Sequence, residues 1–98
     1  MNAKFDLSGK AAIVTGGGRG IGRAIALGLA NSGASVAVTS RTQKEVDAVA
    51  EEIKKSGGKA LAVVADLTVN EQLENLVQAT VGEFGKIDIL VNNAARSF

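Results

Sequence analysis

Cysteine, histidine, proline, tryptophan and tyrosine are all absent from this 98-residue chain. Without cysteine there is no disulfide framework and no thiolate metal site, which fits a reducing compartment. Without histidine or cysteine, two of the side chains often used to move protons near neutral pH are missing. No imidazole or thiolate metal ligand set is expected in the chain. Charge of one sign is lacking too: 11 basic against 10 acidic residues leave a net +1. That balance argues against nucleic acid or an anionic membrane as the main partner. No apolar run approaches the ~18 residues of a membrane span, and Met1 to Lys10 has no apolar signal core. A cytoplasmic protein is expected.

What is present is ordinary globular composition, 46% hydrophobic and 21% charged, with 12 glycines. A chain of this size buries roughly 60–65% of its unfolded surface, enough for one small core. The glycines cluster where they matter most. Ala11-Ala12-Ile13-Val14-Thr15 reads as a buried strand, and Gly16, Gly17, Gly18 and Gly20 then break it. Ile21, Ala24, Ile25, Gly28 and Leu29 follow at helical spacing. Strand, glycine turn and helix form the first half of a βαβ unit. Backbone N–H groups and the positive end of the helix dipole converge at such a turn, and glycine lets a phosphate approach them. Read without a ligand, the same run is a glycine-rich tight turn.

Three further strands and two further helices follow. Ser35 to Ser40 and Ala60 to Ala65 read as buried strands, and Ile87 to Asn92 as a fourth. The first helix runs from Ile21 to Asn31 and stops at Ser32-Gly33. The second opens on Thr42-Gln43-Lys44-Glu45, a capping box, buries Val46, Val49, Ala50 and Ile53, and stops at Ser56-Gly57-Gly58. The third opens on a second box, Thr68-Val69-Asn70-Glu71, with Leu73, Leu76, Val77, Thr80 and Phe84 as its buried stripe and Gly85 as its stop. Phe5 and Leu7 are expected to cover the base of the sheet. The pattern β-α-β-α-β-α-β predicts an α/β fold: a parallel sheet in the order 3-2-1-4 with right-handed crossovers and helices on both faces. Its switch point lies between strands 1 and 4, so the loops after Thr15 and after Asn92 open onto one crevice.

The strict fingerprint G-x-G-x-x-G does not occur. Thr15-Gly16-x-x-x-Gly20-Ile21-Gly22 does, and with Asp66-Leu67-Thr68 and Asn92-Asn93-Ala94-Ala95 it resembles the T-G-x-x-x-G-I-G, D-L/V-T/S and N-N-A-G motifs of the short-chain dehydrogenase/reductase family. The resemblance implies a three-layer Rossmann-type fold and a dinucleotide cofactor. It makes cofactor-binding candidates of Thr15, Gly16, Gly18, Arg19, Gly20, Ile21, Gly22, Ser40, Arg41, Asp66, Leu67, Asn92, Asn93, Ala94 and Ala95. Ala95 stands where the family carries glycine. By resemblance Asp66 meets the adenine amino group, the first asparagine braces the central strands, and the backbone after it lines the nicotinamide end. Asp66 can equally be a turn residue satisfying backbone donors ahead of Thr68.

The end of the second strand bears on the cofactor's identity. A site for NAD usually has an acid there to bind the ribose hydroxyls. Here Ser40 and Arg41 follow instead, with Arg19 near the same corner. A guanidinium grips a 2′-phosphate where a carboxylate repels it, so NADP is expected over NAD. The alternative is a pair of solvated surface arginines. The family's Tyr-x-x-x-Lys lies downstream of its N-N-A-G loop, and this chain has no tyrosine, so its 98 residues are not expected to turn over substrate alone. The resemblance covers only the cofactor half of that family, whose 3-oxoacyl-carrier-protein reductases and gluconate or sugar dehydrogenases are the nearest in pattern. It implies a carbonyl or alcohol substrate and a homo-oligomer, dimer or tetramer. An apolar fourth strand on an open edge invites another strand, which favours a segment of a longer chain. The rival function is a nucleotide-binding or docking module without its own chemistry. A P-loop kinase is disfavoured because no Lys-Ser/Thr follows the glycine loop.

Overall fold

Strands built from short branched and alanyl side chains pack closely when both faces are covered, and that governs the centre of this molecule. The computed structural model describes residues 6–93. Its elements are β1 (Ala11–Thr15), α1 (Gly20–Asn31), β2 (Ser35–Ser40), α2 (Gln43–Lys55), β3 (Ala60–Val64), α3 (Asn70–Phe84) and β4 (Ile89–Asn92). All strand pairs are parallel and the order is β3-β2-β1-β4. The expected α/β class and strand order are therefore observed. In register, Thr15 lies beside Thr39 on one side and Asn92 on the other. Phe5, Ala94 and Ala95 lie outside the described residues.

The central strands β1 and β2 alternate between two cores. Val14, Val36 and Val38 face α1 and α2, where Ala26, Val46, Val49 and Ile53 close a fully buried cluster. Ile13 and Ala37 face α3 and meet Leu76, with Leu61, Val63, Phe84 and Ile87 around them. Leu7 packs on the first cluster, and its N–H donates to Ser32 O at 2.7 Å. The start of β1 is pinned to the start of β4 from both sides. Ala11 N–H donates to Asp88 Oδ2 at 2.9 Å, and Asp88 N–H donates to Ala11 O at 2.8 Å. The Ala11 N–H holds the Asp88 carboxyl below its ordinary 3.8, with Lys86 and Lys10 adding to the effect against a desolvation that opposes it.

Several local expectations need correction. The first helix begins at Gly20, β3 ends at Val64 and β4 begins at Ile89. On α1 the buried line runs through Gly22 and Ala26, with Ile21, Ala24 and Gly28 exposed, because Gly22 has to lie against the loop before the helix. The second helix buries Val46, Val49, Ala50 and Ile53 as expected. Neither capping box forms. Thr42 sits at the N-cap of α2 with no side-chain cap bond, and its N–H is taken by Ser40 Oγ at 3.1 Å rather than by Glu45. At α3 the N-cap is Val69, since Thr68 is drawn back to Asp66. Of the expected α3 stripe only Leu76 and Thr80 are buried; Leu73 and Val77 are exposed and Phe84 is half-buried. A lone helix over this face of the sheet covers what lies directly beneath it and leaves its own flank bare.

Candidate functional site

The turn after β1 is shaped by glycine at positions no other residue fills easily. Gly16 and Gly20 have φ of 64° and 60°, the left-handed region that side chains avoid. A Cβ on Gly22 would lie 1.9 Å from Gly16 O, so the first turn of α1 rides directly on the loop. The loop is tied to β2 by Gly17 N–H donating to Thr39 O at 3.1 Å. Among the described residues, Arg19 at the N-cap makes no side-chain cap bond, and the first turn of α1 carries no acid. The leading N–H groups of α1 are thus left to whatever enters the crevice.

Two groups of expected residues come together around this turn. Gly16, Gly18, Arg19, Ser40, Arg41, Asp66 and Leu67 line one cleft of about 360 Å³, which Thr39, Thr42, Glu45, Ala65 and Thr68 complete. Arg19 and Arg41 are both exposed. Ser40 Oγ accepts the Thr42 N–H and donates to Thr42 O at 3.3 Å, which turns the chain out of β2. Asp66 Oδ1 accepts the Thr68 N–H at 3.0 Å and the Thr68 hydroxyl at 2.6 Å, while Gln72 Oε1 accepts the Asp66 N–H at 2.7 Å. The turn role weighed for Asp66 is therefore present.

The second group sits where β1 meets β4. Thr15 is buried, and its hydroxyl accepts the Asn93 N–H at 2.9 Å and donates to Asn92 Oδ1 at 3.0 Å. One side chain thus joins the two loops expected to face the crevice. Asn93 Nδ2 lies 2.7 Å from where a Gly22 Cβ would be, so the two loops and the start of α1 touch. Ile21 points outward, largely exposed, at the head of the helix.

Thr39, Thr42 and Glu45 were not among the expected site residues. Glu45 read as half of a capping box, and its place in the cleft depends on the competing Ser40 bond that no spacing reveals. Thr39 read as an ordinary strand residue, yet its hydroxyl is buried and has no partner among the described residues. A larger recess, about 530 Å³, opens at the opposite end of the sheet between Leu27, Ile53 and Gly58 and holds none of the expected residues. Among the described residues no three His, Cys, Asp or Glu converge to hold a metal, and no helix is long and apolar enough to cross a membrane.

Comparison with known proteins agrees with this geometry. The sequence model of the short chain dehydrogenase family matches residues 10–97. An uncharacterized oxidoreductase of Mycobacterium tuberculosis is 53% identical over 89 residues, 91% of this chain and 34% of that protein. The short-chain dehydrogenase/reductase homolog YusS of Bacillus subtilis is 49% identical over 87 residues, 88% of this chain and 80% of YusS. Among solved structures, a hydroxysteroid dehydrogenase from Escherichia coli superposes with a TM-score of 0.91 at 42% identity, covering 94% of this chain and 39% of that one. A 7 alpha-hydroxysteroid dehydrogenase complexed with NADH and 7-oxo glycochenodeoxycholic acid gives 0.88 at 42% identity, covering 91% and 35%. YusS apart, the chain spans little more than a third of the length of these proteins.

Proposed function

The chain belongs to the short-chain dehydrogenase family, and from that we propose that residues 1–98 are the NADP(H)-binding part of a longer oxidoreductase domain. The whole protein would move a hydride between a nicotinamide and the carbon of a carbonyl or alcohol, as a cytoplasmic homo-oligomer. The residues fit such a cofactor: Gly20, at the head of α1, faces open space with nothing among the described residues within 4 Å of where its Cβ would be, and α1 presents uncapped N–H groups there. Gly16, Gly18, Gly20 and Gly22 with the Ile21 backbone would hold the pyrophosphate. Asp66 and Leu67 would flank the adenine. Thr15, Asn92 and Asn93, with Ala94 and Ala95 beyond the described residues, would line the nicotinamide end. When bound, the nicotinamide supplies the hydride donor or acceptor. The chain's own part is to orient it, since the tyrosine and lysine that would serve the proton are not among these residues.

The observation that carries the choice of NADP(H) is the end of β2. Ser40 and Arg41 stand where an acid would bind the ribose hydroxyls, and Arg19 lines the same cleft from the glycine turn. A guanidinium offers a 2′-phosphate two parallel charged bonds, whereas a bare ribose gains little from it. Calorimetric titration with NADPH and NADH tests this on the natural full-length protein. NADPH should bind tighter, and Arg41→Asp should reverse or abolish the preference. An affinity ratio that Arg41→Asp leaves untouched removes the basis for NADP(H).

A further inference from the structure

Glu45 lines the cleft shared by Arg19, Ser40 and Arg41, and its charge has the wrong sign for the ligand proposed there. Its spacing from Thr42 suits a capping box, in which the glutamate would reach back to the Thr42 N–H. That N–H belongs to Ser40 Oγ, and the glutamate is turned to the glycine loop instead. Glu45 Oε2 lies 4.0 Å from Arg19 Nε. A Cβ on Gly18 would fall 2.7 Å from Glu45 Cβ and 2.8 Å from its Oε1, so glycine at position 18 leaves the room that the glutamate occupies. The Glu45 side chain is 32% exposed and that of Arg19 86%. The carboxylate is the seated partner and the guanidinium the free-swinging one.

We infer that Glu45 is a specificity-determining residue, a carboxylate that competes with the cofactor's 2′-phosphate for Arg19 and lowers the affinity for NADPH relative to NADH. The inference rests on the NADP(H) reading of the cleft. A phosphate monoester carries about −1.5 to −2 charges at neutral pH, so it must draw Arg19 from Glu45 and then sit near the carboxylate left behind. The exposed pair itself is cheap to break, so repulsion between carboxylate and phosphate carries most of the effect. A ribose without the phosphate meets no such repulsion, and its hydroxyl can donate to the same carboxylate. Glu45 therefore acts on the ratio of the two affinities.

The test is calorimetric titration of the full-length protein with NADPH and NADH, for the parent, E45Q and E45D, with the fold of each checked by thermal melting. E45Q should raise the NADPH affinity relative to NADH by about sevenfold, the factor expected for one charge ~7 Å from a doubly charged phosphate at the dielectric constant of water. E45D, which withdraws the carboxylate by one methylene and keeps its charge, should move the ratio the same way by less. The gain from E45Q should shrink in an Arg19→Gln background. An unchanged ratio, or NADPH binding that weakens in both variants, overturns the inference and makes Glu45 a support for Arg19. A parent that prefers NADH refutes the NADP(H) reading by itself, while the shift on E45Q still decides the role of Glu45.

Discussion

Alanine at Gly22 and alanine at Gly28 put the same methyl group on the same helix, and the structure assigns them opposite outcomes. At Gly22 the new Cβ would stand 1.9 Å from Gly16 O and 2.7 Å from Asn93 Nδ2. A carbon does not tolerate a backbone oxygen much inside 3 Å, so about 1 Å of movement is needed. The loop cannot yield freely: Gly16 follows the fully buried β1, and Gly17 is bonded to Thr39 O. Backing α1 away instead lifts Ala26 off Val14 and Val36. Either route costs about 3 kcal/mol, the upper end for overpacking a rigid site. At Gly28, exposed and in mid-helix, a Cβ has no neighbour within 4 Å among the described residues, and alanine should stabilise by about 0.5–1 kcal/mol. Urea unfolding of both variants, with slopes matching the parent, should therefore show a gap of about 4 kcal/mol. Gly22→Ala should also lose cofactor affinity, because the loop that moves is the one proposed to hold the pyrophosphate. If Gly22→Ala unfolds within 1 kcal/mol of the parent and binds cofactor normally, the contact of α1 with the loop is wrong.

Two smaller perturbations probe the joints between β1 and β4. Thr15→Val keeps the branched shape but leaves the Asn93 N–H without its acceptor, which should cost about 1–2 kcal/mol and speed exchange of the Asn93 amide, whereas Thr15→Ser should hold that amide's protection. Equal exchange in both variants would mean the hydroxyl is not the acceptor. Asp88 has its pKa depressed in the folded state, so its contribution to stability is present above the ordinary 3.8 and disappears as pH falls through the lower folded value. Parent and Asp88→Asn should accordingly differ in urea midpoint at neutral pH and converge as the pH drops below 3.8; a gap that persists at low pH would refute the charge-based account.

The sheet was legible because β1 and β2 each centre on a buried apolar run, Ala11 to Val14 and Val36 to Val38, with a turn beyond. The observed ranges of β1 and β2 match the expected ones for that reason. Stripes were legible on α2, where Val46, Val49, Ala50 and Ile53 are all buried and three of them close the core shared with α1 and the sheet. They failed on α3, because which flank of a helix is covered depends on its neighbours. On α1 the close approach of Gly22 to Gly16 O overrode the placement of larger side chains. Capping chemistry was misjudged for a local reason: Ser40 and Asp66 each won a bond that the box pattern assigned elsewhere. The glycine turn, Asp66 and the asparagine pair could be read from their spacing. Glu45 could not, since only the folded chain brings its carboxylate beside Arg19.

The place of β1 at the middle of the sheet has a consequence in time. Its first neighbour, β2, is made soon after it, and α1 with α2 can close their core on that pair. Its other neighbour, β4, follows α1, β2, α2, β3 and α3 in the chain, and the Asn93 N–H reaches Thr15 Oγ1 across 78 positions of chain. Closing so long a loop is slow compared with forming the local contacts. The crevice between β1 and β4 has one wall in place while α2, β3 and α3 are still being made and gains the other only with β4. The proposed nucleotide crevice is thus completed only after β2 and β3, and a ligand that bridges its two walls would act as a clamp on that late step of folding.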